Sequence, residues 1–314
     1  GCNDDVDDDQ FTWDDDYDAD GTPDDCDSDD DNDGAADEND SDDNNEFECS
    51  DDDSDTCDDC SAGSYDTVSE CNWDVSIDLL AGANLISFYA LPDDISAANI
   101  FSGVVDEIDE GIIGEGKGAV MSEFGLIGSL DEVFQDEGYW VKVFDNSTLE
   151  LSDCEPVNYD ADGEVVYEMT FGNNLISYPF ISSQTPLDAF GDASANVYAL
   201  AGEAMAGLNT VGGWMGSLQL LEGTKGYWLV ATGDFSFSFN GVEEGLTRTD
   251  FIKPQDVPVL FSYSQSENQA FYFVKDATIN GEKLDNNDLI IAYNGDEVIG
   301  SRYWNGEYTD VPAM

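Results

Sequence analysis

The sequence predicts a mainly β protein, in which an irregular Asp-rich arm precedes two repeated small β modules and a C-terminal β module. The prediction rests on three observations: acidic residues crowd into the first seventy positions, apolar and polar residues alternate after Trp73, and several short motifs occur twice. Alternation with a period of two is typical of strands that bury one face. The expected boundaries are 1–72 for the acidic arm, 73–155 and 156–245 for the repeats, and 246–314 for the C-terminal module.

The charge of the chain is strongly negative. Its 314 residues include 72 acidic and 8 basic side chains and no histidine, which gives a formal net charge of -64. Such a field repels the phosphates of nucleic acids and concentrates cations. Carboxylates are hard oxygen donors and imidazole is absent, so the favoured metal is calcium. We therefore expect calcium as a partner and no nucleic acid.

The acids of the arm fall at the spacing of metal ligands. An EF-hand-type loop takes side-chain oxygens from positions 1, 3 and 5, a carbonyl from position 7 and a carboxylate from position 12, with Gly at position 6. Alternate acids arise easily in an Asp-rich run, so the prediction depends on Gly21 and Gly34, each of which follows a D-x-D-x-D triplet. The first loop offers Asp16, Asp18, Asp20, the Thr22 carbonyl and Asp27; the second offers Asp29, Asp31, Asp33, the Ala35 carbonyl and Asp40.

Two further segments fit this pattern less completely. A third loop would start at Asp40 and use Asp42, Asn44 and Asp51, with Asn45 at the turn position, where Asn is the next best residue after Gly. Between the two repeats, one more D-x-D-G element offers Asn158, Asp160 and Asp162. A plain acidic turn is the alternative there, because position 12 would be Met169.

The two complete loops resemble thrombospondin type 3 repeats, whose pattern is D-x-D-x-D-G-x-x-D with interspersed cysteines. The resemblance covers about the first fifth of the chain and fades beyond Asp40. It implies calcium ions wrapped by an irregular chain that disulfides bridge. It also implies two more ligands, Asp24 and Asp37, at the last position of the pattern.

Six of the seven cysteines lie in or beside the arm, which indicates an oxidising compartment where disulfides staple a segment without a large core. We expect most of them to be oxidised and one thiol to remain. Cys57-x-x-Cys60 could instead be a redox or zinc pair, but no second pair accompanies it. The expected location is extracellular, at a bacterial cell surface. The cysteines are Cys2, Cys26, Cys49, Cys57, Cys60, Cys71 and Cys154.

Four motifs recur in the same order, which predicts a duplicated module. Each copy should have strands at its two ends, such as 84–90 and 138–144, and a short helix, near 95–101 or 186–190. The Tyr and Trp of the last motif are expected to fill a small β core. The motif pairs are Gly82 to Phe88 with Gly172 to Tyr178, Gly114-Glu115 with Gly202-Glu203, Gly128 to Leu130 with Gly216 to Leu218, and Gly138 to Val141 with Gly226 to Leu229.

The C-terminal module should contain strands at 270–275, 289–293 and 297–303. Asn280-Gly281 and Asn294-Gly295 predict tight hairpin turns. The apolar end near Met314 has no evident strand partner in the sequence, so we expect an unfinished β edge there.

The composition argues against enzyme chemistry. Without histidine there is no Ser-His-Asp or Cys-His arrangement, and no phosphate-binding loop is present, so only a carboxylate pair of the glycosidase kind remains conceivable. No apolar stretch reaches the length of a membrane span, so we expect no membrane insertion.

We expect that the protein is not an enzyme but a calcium-binding structural protein. It would be a subunit of a calcium-stabilised surface filament or matrix that is built from copies of itself. The alternative is a calcium-rigidified adhesin that binds polysaccharide through aromatics such as Trp214 or Trp304.

Overall fold

The structure is a computed structural model, and it describes residues 17–18, 22, 24, 27–52, 58–60, 63–66, 73–156, 165–241 and 255–314. Strands make up 42% of the described residues and helices 10%, so the expectation of a mainly β protein is confirmed. The described part of the arm belongs to one compact unit. The three β modules together belong to a second compact unit.

The first module combines a three-stranded and a five-stranded antiparallel sheet. The sheet orders are β1-β8-β3 and β2-β7-β4-β5-β6, and a core that includes Phe88, Phe101, Ile112 and Tyr139 is buried between these elements. A short helix, α1 (Ala97–Ile100), begins at Ser96, whose side chain accepts the Asn99 N–H. The strands are β1 (Trp73–Leu79), β2 (Gly82–Ile86), β3 (Ala90–Pro92), β4 (Ile108–Gly114), β5 (Lys117–Ser122), β6 (Gly125–Gly128), β7 (Tyr139–Val143) and β8 (Ser147–Pro156), and a 3₁₀ turn covers Ser102–Glu107.

The second module repeats this design. Its five-stranded sheet has the order β10-β14-β11-β12-β13, and β15 pairs with β9. Helix α2 (Pro186–Phe190) is capped by Thr185, which accepts the Asp188 N–H. The strands are β9 (Tyr167–Met169), β10 (Gly172–Ile176), β11 (Val197–Ala201), β12 (Ala206–Thr210), β13 (Gly213–Gly216), β14 (Tyr227–Ala231) and β15 (Phe235–Phe237), and a 3₁₀ turn covers Gly191–Asn196.

The predicted duplication is confirmed by the strand order and by the register. Trp140 lies opposite Leu85 in the first five-stranded sheet, and Trp228 lies opposite Leu175 in the second. These four side chains also form one apolar cluster with Ala83. The two modules therefore bury equivalent parts of their sheets against each other.

One predicted strand is shorter than expected. The segment 84–90 was expected to be continuous, but β2 ends at Ile86 and β3 starts at Ala90. Ser87 leaves the sheet because its N–H donates to the Thr224 carbonyl of the second module, at 3.0 Å. The contact between modules interrupts the strand.

The C-terminal module consists of three two-stranded pairs, β16 with β21, β17 with β18 and β19 with β20. Asn280 and Gly281 have φ angles of 54° and 89°, as the predicted tight turn requires. The chain end does have a strand partner, because β21 pairs along its length with β16 in a two-stranded sheet. The strands are β16 (Ala270–Val274), β17 (Thr278–Ile279), β18 (Glu282–Lys283), β19 (Leu289–Asn294), β20 (Glu297–Tyr303) and β21 (Thr309–Ala313), with a 3₁₀ turn at Val259–Phe261.

A buried ion pair within the C-terminal module lies at its contact with the second module. Arg302 Nη2 lies 3.3 Å from Asp310 Oδ2, and both side chains are almost fully buried. Asp310 also accepts the N–H groups of Ala206 and Ser217, at 3.1 and 2.7 Å. These contacts place the module against the end of the β12–β13 hairpin.

Within the described part of the chain, no helix has the length and apolar character that crossing a membrane requires.

Candidate metal site

The second predicted loop is folded by hydrogen bonds from its backbone to its own carboxylates. Asp31 Oδ1 accepts the Asp33 N–H at 3.1 Å, and Asp33 Oδ1 accepts the Ala35 N–H at 2.7 Å. Asp29 Oδ2 accepts the Gly34 N–H at 3.1 Å, and Gly34 has a φ of 104°, which explains why glycine follows the acidic triplet. The loop therefore curls around its first, third and fifth residues.

This curl brings three carboxylates together. The ligand atoms of Asp29, Asp31 and Asp33 all lie within 4.8 Å of one another. Asp31 and Asp33 are only 8% and 3% exposed, and each of the three acids has a buried oxygen with no hydrogen-bond partner. Burying a polar atom without a partner is costly, so these oxygens need a donor or a cation. The cluster could hold a metal ion.

The electrostatics of the cluster support this conclusion. Burial raises the pKa of Asp29 and of Asp33, and the charge of Asp31 raises both further, although backbone N–H donors oppose the shift. Burial also raises the pKa of Asp40, to which the charge of Asp31 again contributes. Asp40, the predicted twelfth residue of the loop, therefore interacts with the same cluster. A bound cation would favour the ionised form of all these groups.

Asp30 is a further buried acid of this loop, and it was not among the predicted ligands. Asp30 is buried, and its Oδ1 has no hydrogen-bond partner. Burial, followed by the charges of Asp37 and Asp24, raises the pKa of Asp30 to about 6. Asp30 occupies an even position of the loop, which the ligand pattern does not use, so spacing alone gave no reason to select it.

The arm repeats one hydrogen-bond arrangement. In three places among the described residues, a backbone N–H donates to the Asp carboxylate seven residues later. The first and second places fall in the two complete loops of the sequence pattern, and the third joins Asp52 to Asp59. The pairs are Tyr17 with Asp24 at 2.9 Å, Asp30 with Asp37 at 3.1 Å, and Asp52 with Asp59 at 2.8 Å.

The third occurrence indicates that the third repeat of the pattern starts at Asp51 and not at Asp40, where the third loop was predicted to start. The Asp37 N–H donates to the Ser28 carbonyl at 3.2 Å, and the Asp59 N–H donates to the Ser50 carbonyl at 2.6 Å, so the arrangement recurs after 22 residues. In the sequence, 28–37 and 50–59 share six of ten residues. Asp51 therefore corresponds to Asp29, the first residue of a loop. Asp59 was missed because no Gly stands at the sixth position of this segment.

The structure does not bring the ligands of the predicted third loop together. Asp42 donates its N–H to Asp40 Oδ1, and Asn44 donates its amide to Asp43. In the described residues, no group of three acids from this segment has ligand atoms within 4.8 Å. Asp51 is exposed.

The remaining predicted ligands are placed as follows. Asp18 accepts a hydrogen bond from the Asn32 amide, Asp27 accepts the Ser28 N–H, and Thr22 is half-buried. The other predicted ligands lie outside the described residues, namely Asp16, Asp20, Asn158, Asp160 and Asp162.

A disulfide lies beneath the loop. Cys49 is bonded to Cys60, and the pair forms a buried apolar cluster with Ala35. Oxidation is thus confirmed for these two cysteines, and the alternative of a Cys57-x-x-Cys60 redox or zinc pair is wrong, because Cys60 already has a partner. The bonded sulfurs beside Asp33 cannot act as thiolate ligands. Cys154 is a buried free thiol. The remaining cysteines lie outside the described residues, namely Cys2, Cys26, Cys57 and Cys71.

The aromatics considered for polysaccharide binding are not freely exposed. Trp214 is half-buried, and its Nε1 lies 3.3 Å from Ser194 Oγ. Its ring packs on Gly207, where an added Cβ would lie 3.2 Å from the ring. Trp304 is also half-buried.

The fold and the site together define a class: a mainly β protein with an Asp-rich arm that could hold a metal ion. The chain matches no protein-family model, no curated protein and no solved structure. The resemblance of the arm to thrombospondin type 3 repeats therefore rests on residue spacing.

Proposed function

We propose that the chain is an extracellular calcium-binding structural protein, a subunit of a calcium-stabilised filament or matrix at a bacterial surface. One observation carries the proposal: Asp29, Asp31 and Asp33 converge within 4.8 Å and hold buried oxygens without hydrogen-bond partners. Two more features support it, namely the resemblance to thrombospondin type 3 repeats and the disulfide that braces the loop.

Calcium is the ion that suits this donor set. The convergent atoms are carboxylate oxygens only, and calcium accepts six to eight oxygen ligands in flexible geometry, whereas magnesium demands a near-ideal octahedron and retains its waters. Zinc and copper prefer imidazole or thiolate donors, and the chain has no histidine. Carboxylates that remain around the cluster, such as Asp40, can complete the shell.

The bound ion would stabilise the arm in place of a hydrophobic core. Among the described residues of the arm, the buried apolar cluster contains only Ala35, Cys49 and Cys60. A segment with so little apolar burial and so much negative charge repels itself and does not stay folded unaided. Calcium would therefore convert a self-repelling segment into a rigid spacer, which is the property a filament subunit needs.

The binding step is tested by calorimetric titration of the calcium-free chain with Ca²⁺ and, separately, with Mg²⁺. We expect Asp31→Asn and Asp33→Asn to weaken calcium binding at least tenfold. Glu38→Gln is the matched control, because Glu38 is an exposed acid of the same arm and its replacement removes the same charge. Equal affinities for all three variants would show that only the general field of the arm attracts calcium.

The assembly step is tested by electron microscopy of the protein in calcium, before and after excess EGTA. We expect polymers in calcium that disperse on chelation. Assemblies that persist after the arm has lost its calcium would contradict a calcium-stabilised structure.

A further inference from the structure

The five-stranded sheet of the first module carries a cavity on one face. Ile113 lies opposite Trp140 on one neighbouring strand and opposite Gly118 on the other, so these three residues share that face. Together with Ala83 and Val120 they line a cavity of about 160 Å³. The small residues Gly118 and Ala83 leave a space that the larger side chains surround.

The second module carries different residues at the equivalent positions. Its sheet has the same register, in which Ala201 lies opposite both Trp228 and Ala206. Two glycines of the first module are thereby matched by alanines, and a lysine is matched by a valine. The residues that form the cavity are thus particular to the first copy and do not follow from the shared fold. The pairs are Gly111 with Ala199, Gly118 with Ala206, and Lys142 with Val230.

Trp140 supplies the cavity with a hydrogen-bond donor. The side chain is only 4% exposed, and its buried Nε1 has no hydrogen-bond partner among the described residues. An indole N–H can donate but cannot accept, and a buried donor without an acceptor is costly. Because Trp140 lines the cavity, an acceptor atom of a bound molecule would satisfy this group.

Charged side chains form the rim of the cavity. Lys142 Nζ lies 3.0 Å from a Glu110 carboxylate oxygen and 3.6 Å from one of Asp109. The hydrogen bond to Glu110 raises the pKa of Lys142, and the charges of Asp109 and Glu267 also raise it, although desolvation opposes the shift. Glu267, which precedes β16, lines the cavity as well. Three carboxylates around one ammonium make the rim net negative, which disfavours an anionic ligand.

We propose that this cavity binds a small uncharged aromatic molecule that carries one hydrogen-bond acceptor. The ring would lie over Gly118 and Ala83, beside the half-exposed side chains of Ile113 and Val120, and the acceptor would receive the Trp140 N–H. An apolar cavity of roughly 150 Å³ binds benzene, so a single six-membered ring has the size that fits. Aryl ketones are simple members of this class. The site goes beyond the proposed function, since it involves neither calcium nor the acidic arm.

The test uses three probes that share one six-membered ring. Acetophenone is uncharged and has an acceptor, ethylbenzene is uncharged and has none, and benzoate is an anion. Each is titrated into the full chain in EGTA, and the tryptophan indole N–H signals are followed by NMR. We expect acetophenone to shift the indole signal of Trp140 as its N–H gains an acceptor. Benzoate should bind most weakly, because the acidic rim repels it.

Variants assign the donor and the location. Trp140→Phe keeps an aromatic ring but removes the N–H, so it should weaken acetophenone binding about five- to tenfold and change ethylbenzene binding little. Trp214→Phe is the matched control, because Trp214 is a half-buried tryptophan whose Nε1 already lies 3.3 Å from Ser194 Oγ. Gly118→Ala introduces the residue found at position 206 of the second module and should weaken both uncharged probes by narrowing the cavity.

Several results would overturn this site. They are the absence of an indole shift up to the solubility limit of acetophenone, a Trp140→Phe protein that binds acetophenone as tightly as wild type, and tighter binding of benzoate than of acetophenone. A folded Gly118→Ala protein with wild-type affinity for both uncharged probes would also overturn it. The added Cβ would lie 3.2 Å from the Ile112 carbonyl oxygen, so urea denaturation checks that this variant folds. If it does not fold, Trp140→Phe decides the outcome.

Discussion

The carboxylate of Glu203 accepts the backbone N–H of Leu85 at 2.5 Å, across the junction between the two repeated modules. Glu115 accepts the N–H of Leu175 at 2.6 Å in the reciprocal contact. Leu85 and Leu175 lie on the edge strands β2 and β10, whose outer N–H groups have no strand beside them. The Gly-Glu motif that occurs twice in the sequence thus satisfies the sheet edge of the opposite module.

We predict that Glu203→Ala lowers the free energy of unfolding by about 1–3 kcal/mol, because it leaves the Leu85 N–H without its acceptor. Glu203→Gln should cost about 0–1 kcal/mol, since the amide oxygen still accepts and only the ion pair with Lys225 is lost. Urea denaturation measures both. Glu282→Ala, at an exposed acid, should be neutral. Equal losses in the two Glu203 variants would assign the stability to the ion pair.

Breaking the Arg302–Asp310 ion pair should lower the free energy of unfolding by more than the Glu203 substitutions do. Arg302→Met leaves the Asp310 carboxylate buried without its countercharge, and breaking a buried pair costs about 3–5 kcal/mol. We expect the C-terminal module to detach first, seen as early proteolysis within 255–314. Lys283→Met, at an exposed lysine of the same module, is the control. A variant as resistant to protease as wild type would contradict the assigned role.

Cys154 should resist thiol reagents in the folded protein. Its side chain is fully buried, and burial, with the charges of Asp74 and Asp153, raises the pKa of the thiol to about 11. At pH 8 only about one thousandth is then in the reactive thiolate form. Alkylation followed by peptide mass analysis should label Cys154 only after denaturation. Rapid labelling in native buffer would show that the β core opens readily.

The Cys49–Cys60 disulfide should stabilise the arm even when calcium is present. The bonded residues are 11 apart, and closing a loop of this size contributes about 2–3 kcal/mol. In Cys49→Ser/Cys60→Ser protein we expect faster hydrogen exchange in 28–52 and weaker calcium binding. Exchange in 73–156 serves as the internal reference. Unchanged exchange in the arm would mean that calcium alone holds the loop.

The repeat of the β modules and the second loop could be predicted because their signals are local. Gly34 needs a positive φ, and the four recurring motifs keep their order, so each could be recognised without knowledge of distant contacts. The shifted third loop also had a local signal, the similarity of 28–37 to 50–59. This segment does not match the ligand pattern, because the pattern requires a glycine at the sixth position.

Long-range pairing could not be predicted. The last strand, β21, follows no pattern that identifies β16 as its partner, and the two are about 40 residues apart in the sequence. The early end of β2 has the same cause, since the Thr224 carbonyl that takes the Ser87 N–H lies in the other module. Burial of Asp30 also depends on neighbours that the ligand spacing does not specify.

By itself, the sequence determined the mainly β class, the duplication and the acidic triplets, because periodicity, composition and turn residues act over a few neighbouring positions. Only the tertiary structure decided which carboxylates converge and which sheet edges are satisfied. Those outcomes depend on the desolvation and close packing of groups far apart in the chain, and the identity of one residue does not reveal what will lie against it.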